Sequence, residues 1–509
     1  MRIQVLTRTM CTLPYQLKHV TDIFVGNEPY VFNYIMQRSF FHIAILTSSV
    51  FLFFNNLRAQ EYIGLRMDNY SGSNGMMFNP ALPGSGVLPW DVNVLAYGNS
   101  IDNNYAFIPQ QSIAGLPSAN SFAPSFYNPE VVKAFGNVLV QGPSAFIKRN
   151  DFTFGFYTAG RSAGFIITDS KSEGFKELSD IQKEINYNVP TLNSGLLNWA
   201  EIGFNGEMQI QDSKTSRINL AVNAKFLLGF DAYTGQVNAP FNFTQHEETT
   251  DISNFDYTYA YTDNLGSNRV TDISNYEVNG FGTSIDLGMT YNVKSKLQRH
   301  KNTRYDTKFG VALVDLGFIK FKKNAGTYDL FSGTAFTALN ADIDSISDLD
   351  EFTKIASRII YDNGKASKTG SRFTMYTPGA LTLFADKNIG NGFFVNGMLI
   401  QRLSGLHKDM IARANIFAIT PRFEKEEFAV SIPFVFSEYE DFHLGTAIRF
   451  YFLTIGSDDV LSLFVPGDLD GTDFYIAFRF NPYWLQSTSG GGSEFKINKR
   501  KQVQCPVMN

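Results

Sequence analysis

Residues Phe281 to Val293 read FGTSIDLGMTYNV and alternate without a break. Phe281, Thr283, Ile285, Leu287, Met289, Tyr291 and Val293 share one parity, and Gly282, Ser284, Asp286, Gly288, Thr290 and Asn292 share the other. Strict period two over 13 residues is the pattern of a β-strand with one apolar and one polar face. The stretch exceeds the usual globular strand of roughly five or six residues and suffices for the roughly 9 to 11 that cross a bilayer at a tilt. On this reading Ile285, Leu287 and Met289 meet lipid, while Ser284, Asp286 and Thr290 face an interior.

The same alternation recurs at Ile202–Ile210, Ile218–Leu228, Phe428–Phe436, Phe442–Phe452 and Phe474–Phe480. Strand-like segments also run near Asp91–Gly98, Asn137–Lys148, Asp151–Ala159, Ala163–Asp169, Asp306–Phe321, Arg372–Asp386, Asn391–Arg402 and Arg413–Phe423. Together they number about fourteen. An antiparallel sheet of that size curls, splits or closes, and closure removes the edges that invite aggregation. A secreted sandwich or propeller would want shorter strands and a repeat of roughly 40 to 50 residues, and none is present. The expected fold is therefore all-β: an antiparallel transmembrane outer-membrane β-barrel of about 14 strands with an N-terminal hatch, located in the bacterial outer membrane.

Connections fall into two classes. Arg149–Asn150, Gly160–Ser162, Asp212–Thr215, Lys387–Gly390, Glu424–Glu427 and Ser437–Asp441 read as tight polar turns. Ser170–Asn198, Asp231–Asn279 and Lys322–Ser371 are long and suit the outer face of a bacterial barrel. Glu173–Tyr187 and Ile346–Ile360 carry apolar residues at helical spacing, expected to pack onto the body of the protein. Asp251–Asp263 reads as an extracellular hairpin.

Composition limits the classes of function. The 509 residues include 48 Phe, 24 Tyr and 41 Gly, with 44% hydrophobic and 18% charged residues, too apolar for a disordered chain. A net charge of −5 leaves no basic footprint, so no nucleic-acid partner is expected. From Met36 the chain reads MQRSFFHIAILTSSVFLFFNNLRAQ, a basic residue followed by an apolar run and a small residue at Ala59. That is the order of a signal peptide, and the run from Phe40 to Phe54 is short of the roughly 20 residues a spanning helix needs. The expected organisation is an upstream extension at 1–35 with the true start at Met36, a signal peptide at 36–59, a hatch or plug at 60–89, a barrel at 90–485 and a polar tail at 486–509. An uncleaved anchor is the alternative for the leader, as a disordered stretch is for the plug. Cys11 falls in the leader and Cys505 in the tail, so the exported body has no internal disulfide.

Directly after the cut comes EYIGLRMDNYSGSNGMMFNPAL. A Gly-containing stretch leading into an Asn-Pro-Ala box resembles the N-terminal hatch of the fatty-acid-transporter-like outer-membrane barrels, with Tyr70, Gly72, Asn79, Pro80 and Ala81 as the matching residues. Leu82 stands where those transporters commonly have Gly. The mature chain as a whole resembles a Bacteroidota barrel family related to the PorV and PorP proteins of type IX secretion and gliding. That resemblance implies a cell-envelope scaffold with secretion or adhesin partners; the alternative is a transporter or receptor for a hydrophobic small molecule. A hatch also makes physical sense, because a lumen of about fourteen strands is wider than side chains can fill.

Catalytic residues are sparse, and no enzyme and no cofactor are expected. Ser404-Gly405 near His407 is the only local resemblance to a nucleophile site, without an orienting partner. His443 alternates with Phe442 and Leu444 and should face the lumen, with no second ligand at zinc spacing. Asp468, Asp470 and Asp473 surround Gly471 in PGDLDGTD, but Gly falls fourth rather than sixth, which favours a polar turn over a calcium loop. Pro421 and Pro433 interrupt neighbouring strands, each removing a ladder donor. They are candidates for a lateral gate or docking seam, with two bulges near the rim as the simpler alternative.

Overall fold

The computed structural model describes residues 62–116, 124–172, 180–266, 277–294, 305–403, 409–438 and 442–482. The upstream extension and signal peptide, Ser404 to His407, Tyr483-Trp484 and the tail lie outside the described residues.

Fourteen antiparallel strands close into a barrel. In chain order they are β1 (Trp90–Asn103), β2 (Lys133–Arg149), β3 (Phe152–Thr168), β4 (Leu192–Asp212), β5 (Ser216–Val237), β6 (Gly280–Val293) and β7 (Thr307–Phe321). There follow β8 (Ala380–Gly390, led in by Phe373–Tyr376), β9 (Phe393–Arg402), β10 (Ile416–Glu424), β11 (Phe428–Ser431 with Phe434–Ser437), β12 (His443–Leu444 with Thr446–Phe450), β13 (Leu453–Ser457) and β14 (Thr472–Phe480). β14 closes on β1 from Val92↔Phe480 to Ile101↔Thr472. Chain neighbours are sheet neighbours throughout, the up-and-down order that hairpins produce.

The alternation decides which face each side chain takes. In β6, Leu287 is 46% exposed while Asp286 is fully buried, and Ile285 and Met289 follow Leu287 as Ser284 and Thr290 follow Asp286. Phe154, Phe204, Phe226, Phe281, Phe393 and Phe450 continue the outward apolar surface around the wall. Exposed aromatics on this scale have no place in water, and they form the lipid-facing surface of an outer-membrane barrel. No helix among the described residues is long and apolar enough to cross a membrane.

Three expectations need correction. Gly160–Ser162 is no turn: it lies inside β3, where Gly160, Arg161 and Ser162 pair with Ala200, Trp199 and Asn198. The five-residue β13 went unread as a strand of its own, because the long run ending at Phe452 masks its start. Of the stretch Glu173–Tyr187, residues 173–179 lie outside the described residues; at its end Asn186–Val189 joins a small outer sheet, and Tyr187 stacks on Phe243 at 5.4 Å. Asp251–Asp263 is not one hairpin, since Thr249–Ser253 and Phe255–Thr262 belong to different sheets.

One end of the barrel carries short turns and the other a folded outer tower. β5 runs past the barrel and pairs with Phe255–Thr262, which pairs in turn with Ala325–Ser332. A four-stranded sheet of Phe336–Leu339, Thr249–Ser253, Phe241–Gln245 and Asn186–Val189 stands beside it. The helix expected near Ile346–Ile360 is present as α1 (Leu349–Tyr361), with Asp348 capping it through the Glu351 amide at 2.8 Å. α1 packs Phe352 against Tyr257 and Tyr259 of the tower.

Candidate functional site

Residues 62–89 lie inside the lumen, buried along nearly their whole length. Gly, Asn and Ser prevent a strand here, and the segment instead makes short turns, including a 3-10 stretch at Gly72–Met77. Many of its polar groups bond to the wall. Tyr70 presents its carbonyl to Arg479 and its ring to the Arg449 guanidinium, 4.7 Å away, while Arg449 also ion-pairs with Asp68. Gly72 has φ 61°, a conformation that favours glycine, and a Cβ there would stand 2.3 Å from the Asp91 carboxylate. That carboxylate accepts from the amide and the hydroxyl of Ser73, both at 2.8 Å.

On the opposite wall, Asn79 Nδ2 donates to the carbonyls of Met289 (3.3 Å) and Val311 (3.2 Å), and its Oδ1 accepts from the Ala81 amide at 2.9 Å. The Pro80 carbonyl accepts from Asn205 at 3.0 Å. Tyr70 and Gly72 thus touch β1, β12 and β14, whereas Asn79, Pro80 and Ala81 touch β4, β6 and β7. The five residues span the lumen and tie it across. Gly288 faces them from β6, where a Cβ would come within 2.4 Å of Asn79 Oδ1 and 2.7 Å of Pro80 Cδ.

A second tie crosses the lumen. Arg161 of β3 makes a two-pronged contact with Asp315 of β7 at 2.8 and 3.0 Å, and rests over Trp199 at 4.7 Å. Lys225 of β5 reaches Asp315 at 2.6 Å and Asp286 of β6 at 2.7 Å. Arg413, from the stretch after β9, adds a contact at 3.7 Å, and the neighbouring Ile411 is buried against Phe165 and Gly195 on the far wall. Buried charges are costly unless paired, and here every one of these has a partner. The sequence reading missed this cluster, although Asp286 and Lys225 stand on the polar parity of two strands it did identify.

Pro421 and Pro433 come together across the β10–β11 seam. The ladder between Ile419↔Phe434 and Arg422↔Ser431 is interrupted there. The gap stays bonded: Ile432 donates to the Pro421 carbonyl at 3.1 Å, and Gly445 to the Pro433 carbonyl at 2.8 Å. Asp468, Asp470 and Asp473 do not converge. Asp473 accepts from Ser457, Asp458 and Asp459, whereas Asp470 accepts from Tyr127 at 3.2 Å. No group of three or more metal-binding side chains occurs among the described residues. His443 is buried between Asp102 (3.6 Å) and Asp459 (3.5 Å).

At the outer end, a cleft lies between α1 and the four-stranded sheet. Its lining is entirely apolar, including Ile252, Phe255, Phe336, Phe352, Ile355 and Ile359. Its free volume is about 40 Å³. A cavity of roughly 150 Å³ holds benzene, so this cleft is too small to enclose such a molecule as it stands.

A model for a family of unknown function, DUF5723, matches residues 96–458, from β1 to just past β13. The chain belongs to that family. No curated protein matches it. Among solved structures it is similar to the Pseudomonas putida toluene transporter TodX, with 11% identity, a TM-score of 0.36 and coverage of 83% of this chain and 97% of that one. The Ralstonia pickettii toluene transporter TbuX gives 11% identity and a TM-score of 0.36 over 81% of this chain and 94% of its own. A Pseudomonas aeruginosa FadL homologue gives 7% and 0.22 over 82% and 95%.

Proposed function

We propose that this barrel carries a hydrophobic small molecule across the outer membrane, with residues 60–89 acting as its hatch. The observation that supports this is the apolar cleft beneath α1. A water-filled pore has no use for such a surface at its mouth, whereas a molecule leaving water for a membrane is favoured there by roughly 25 cal/mol per Å² of apolar area buried. From the cleft the route passes the Arg161–Asp315 tie and the Asn79 box, which must shift, and leaves sideways at the Pro421–Pro433 interruption. The secretion-scaffold expectation draws no support from the contacts described, and the hydrophobic-ligand alternative takes its place.

The test is uptake of a labelled monoaromatic hydrocarbon and of a labelled long-chain fatty acid by cells with and without the chain, beside an Ile359→Glu variant. The wild type should raise uptake of at least one, and the variant should lose most of the gain, because a carboxylate would line the cleft. Uptake equal to that of cells lacking the chain refutes the reading.

A further inference from the structure

The outer surface of β6 to β8 carries an unbalanced group of charges. Lys320 points outward near the end of β7, directly opposite outward-facing Phe281 on β6 and Thr374 on the lead-in to β8. Phe321 pairs with Phe373, so extending that register by one residue sets Lys322 opposite Arg372. All three basic side chains are exposed. None has an acidic partner among the described residues, whereas the neighbouring Lys323 is paired with Glu277. Two like charges facing each other across adjacent strands destabilise the pair. An anion between them would reverse the sign.

Their height identifies the anion. Phe281 (66% exposed) and Phe318 mark the upper aromatic girdle on this wall, and Tyr291, paired with Phe309, marks the lower. The ten residues from Phe281 to Tyr291, at about 3.3 Å each and tilted about 40°, rise about 25 Å, the height of the apolar band of an outer-membrane barrel. Lys320 therefore stands at the upper edge of the hydrocarbon, its ammonium 5.2 Å from the Phe318 ring. Lys322 and Arg372 stand a further residue pair up, at the level of headgroups, on the side of the long loops.

We propose that Lys320, Lys322 and Arg372 bind the phosphate of an outer-leaflet glycolipid whose acyl chains lie along the apolar wall below Phe281 and Phe318. The surface is continuous with the lipid-facing band, and its charge is complementary to a phosphate. This site does not depend on the transport reading, since it lies on the opposite side of the wall from the lumen.

The test uses the full chain folded in detergent micelles, with binding followed by native mass spectrometry. The probes are phosphorylated lipid A, enzymatically dephosphorylated lipid A and inorganic phosphate. The variants are a triple Lys320→Gln, Lys322→Gln, Arg372→Gln and a control Lys387→Gln, Lys425→Gln on the opposite rim, each checked for folding by heat-modifiable gel mobility. Each juxtamembrane charge contributes roughly fivefold in affinity, so the triple variant should bind phosphorylated lipid A roughly a hundredfold more weakly, with the control unchanged. Wild type should prefer the phosphorylated lipid by a similar factor. Binding of the triple variant within twofold of wild type overturns the proposal, as does equal binding of dephosphorylated lipid A. Displacement of the lipid by equimolar inorganic phosphate would mean a simple anion site and would also overturn it. If the triple variant fails to fold, the comparison of the two lipids on wild type decides alone.

Discussion

Arginine at Leu287 should cost far more than arginine at Phe281, because the two sites sit at different depths on one face of β6. Phe281 is at the upper girdle. Leu287 lies six residues below it and four above Tyr291, so at about 2.5 Å of rise per tilted residue it is within about 3 Å of the bilayer midplane. Arginine at the midplane of a barrel's lipid face costs roughly 2 to 4 kcal/mol, falling to roughly 0 to 1 near the interface. Because Phe281 and Leu287 also differ in the packing they lose, alanine serves as the reference at both positions. The measured quantity is the difference in unfolding free energy between Leu287→Arg and Leu287→Ala, set beside that between Phe281→Arg and Phe281→Ala. Guanidinium titrations of the barrel refolded in phospholipid vesicles, followed by tryptophan fluorescence, give both. Equal penalties at the two positions would refute the depth assignment, and a penalty under about 1 kcal/mol at Leu287 would refute the outward parity itself.

The lumen plug gives a second expectation. Gly288→Val should push Asn79 and Pro80 off the β6 wall and raise ion conductance in planar bilayers, while Gly397→Val, where a Cβ meets nothing within 4 Å, should not. Conductance at the wild-type level in both would show that this box does not seal the lumen. In the outer tower, His246 bonds to Glu184 (2.8 Å) and Asp251 (3.2 Å), which raise its pKa above the usual imidazole value. A raised folded pKa gives stabilisation that is complete below the unfolded value of about 6.5 and lost as pH rises through the higher folded value. Amide exchange in Phe241–Gln245 and Thr249–Ser253 should therefore speed up above neutral pH beyond its intrinsic rate, and His246→Gln should abolish that excess. At the wall interruption, Pro421→Val with Pro433→Val should restore ladder donors and lower hydrophobe uptake at equal amounts of folded barrel. Unchanged uptake would leave both prolines as structural bulges.

The barrel was legible because its determinants are local. Period two within each strand fixes which residues face lipid, and the count of fourteen follows from how many such runs there are. Yet two misleading stretches cancel in that count: the sequence pattern breaks β3 at Gly160–Ser162 and hides β13. Both have the same physical origin. A charged residue such as Arg161, flanked by Gly160 and Ser162, reads as a turn when only its chain neighbours are considered. It sits mid-strand because Asp315, 154 residues away in sequence, neutralises it across the lumen. Conversely, β13 has only five residues, too few for a period to declare itself, and is held in place by β12 and β14. The inner segment follows the same logic. Its irregularity and its Asn-Pro-Ala box were visible, but apart from Asp91 the groups that hold it, Arg449, Arg479, Asn205 and the carbonyls of Met289 and Val311, are 125 to 409 residues distant. What sequence shows of such a site is one half of each bond. A polar residue on the inward parity of a lipid-facing strand announces that a partner exists, and closure of the barrel determines which one it meets.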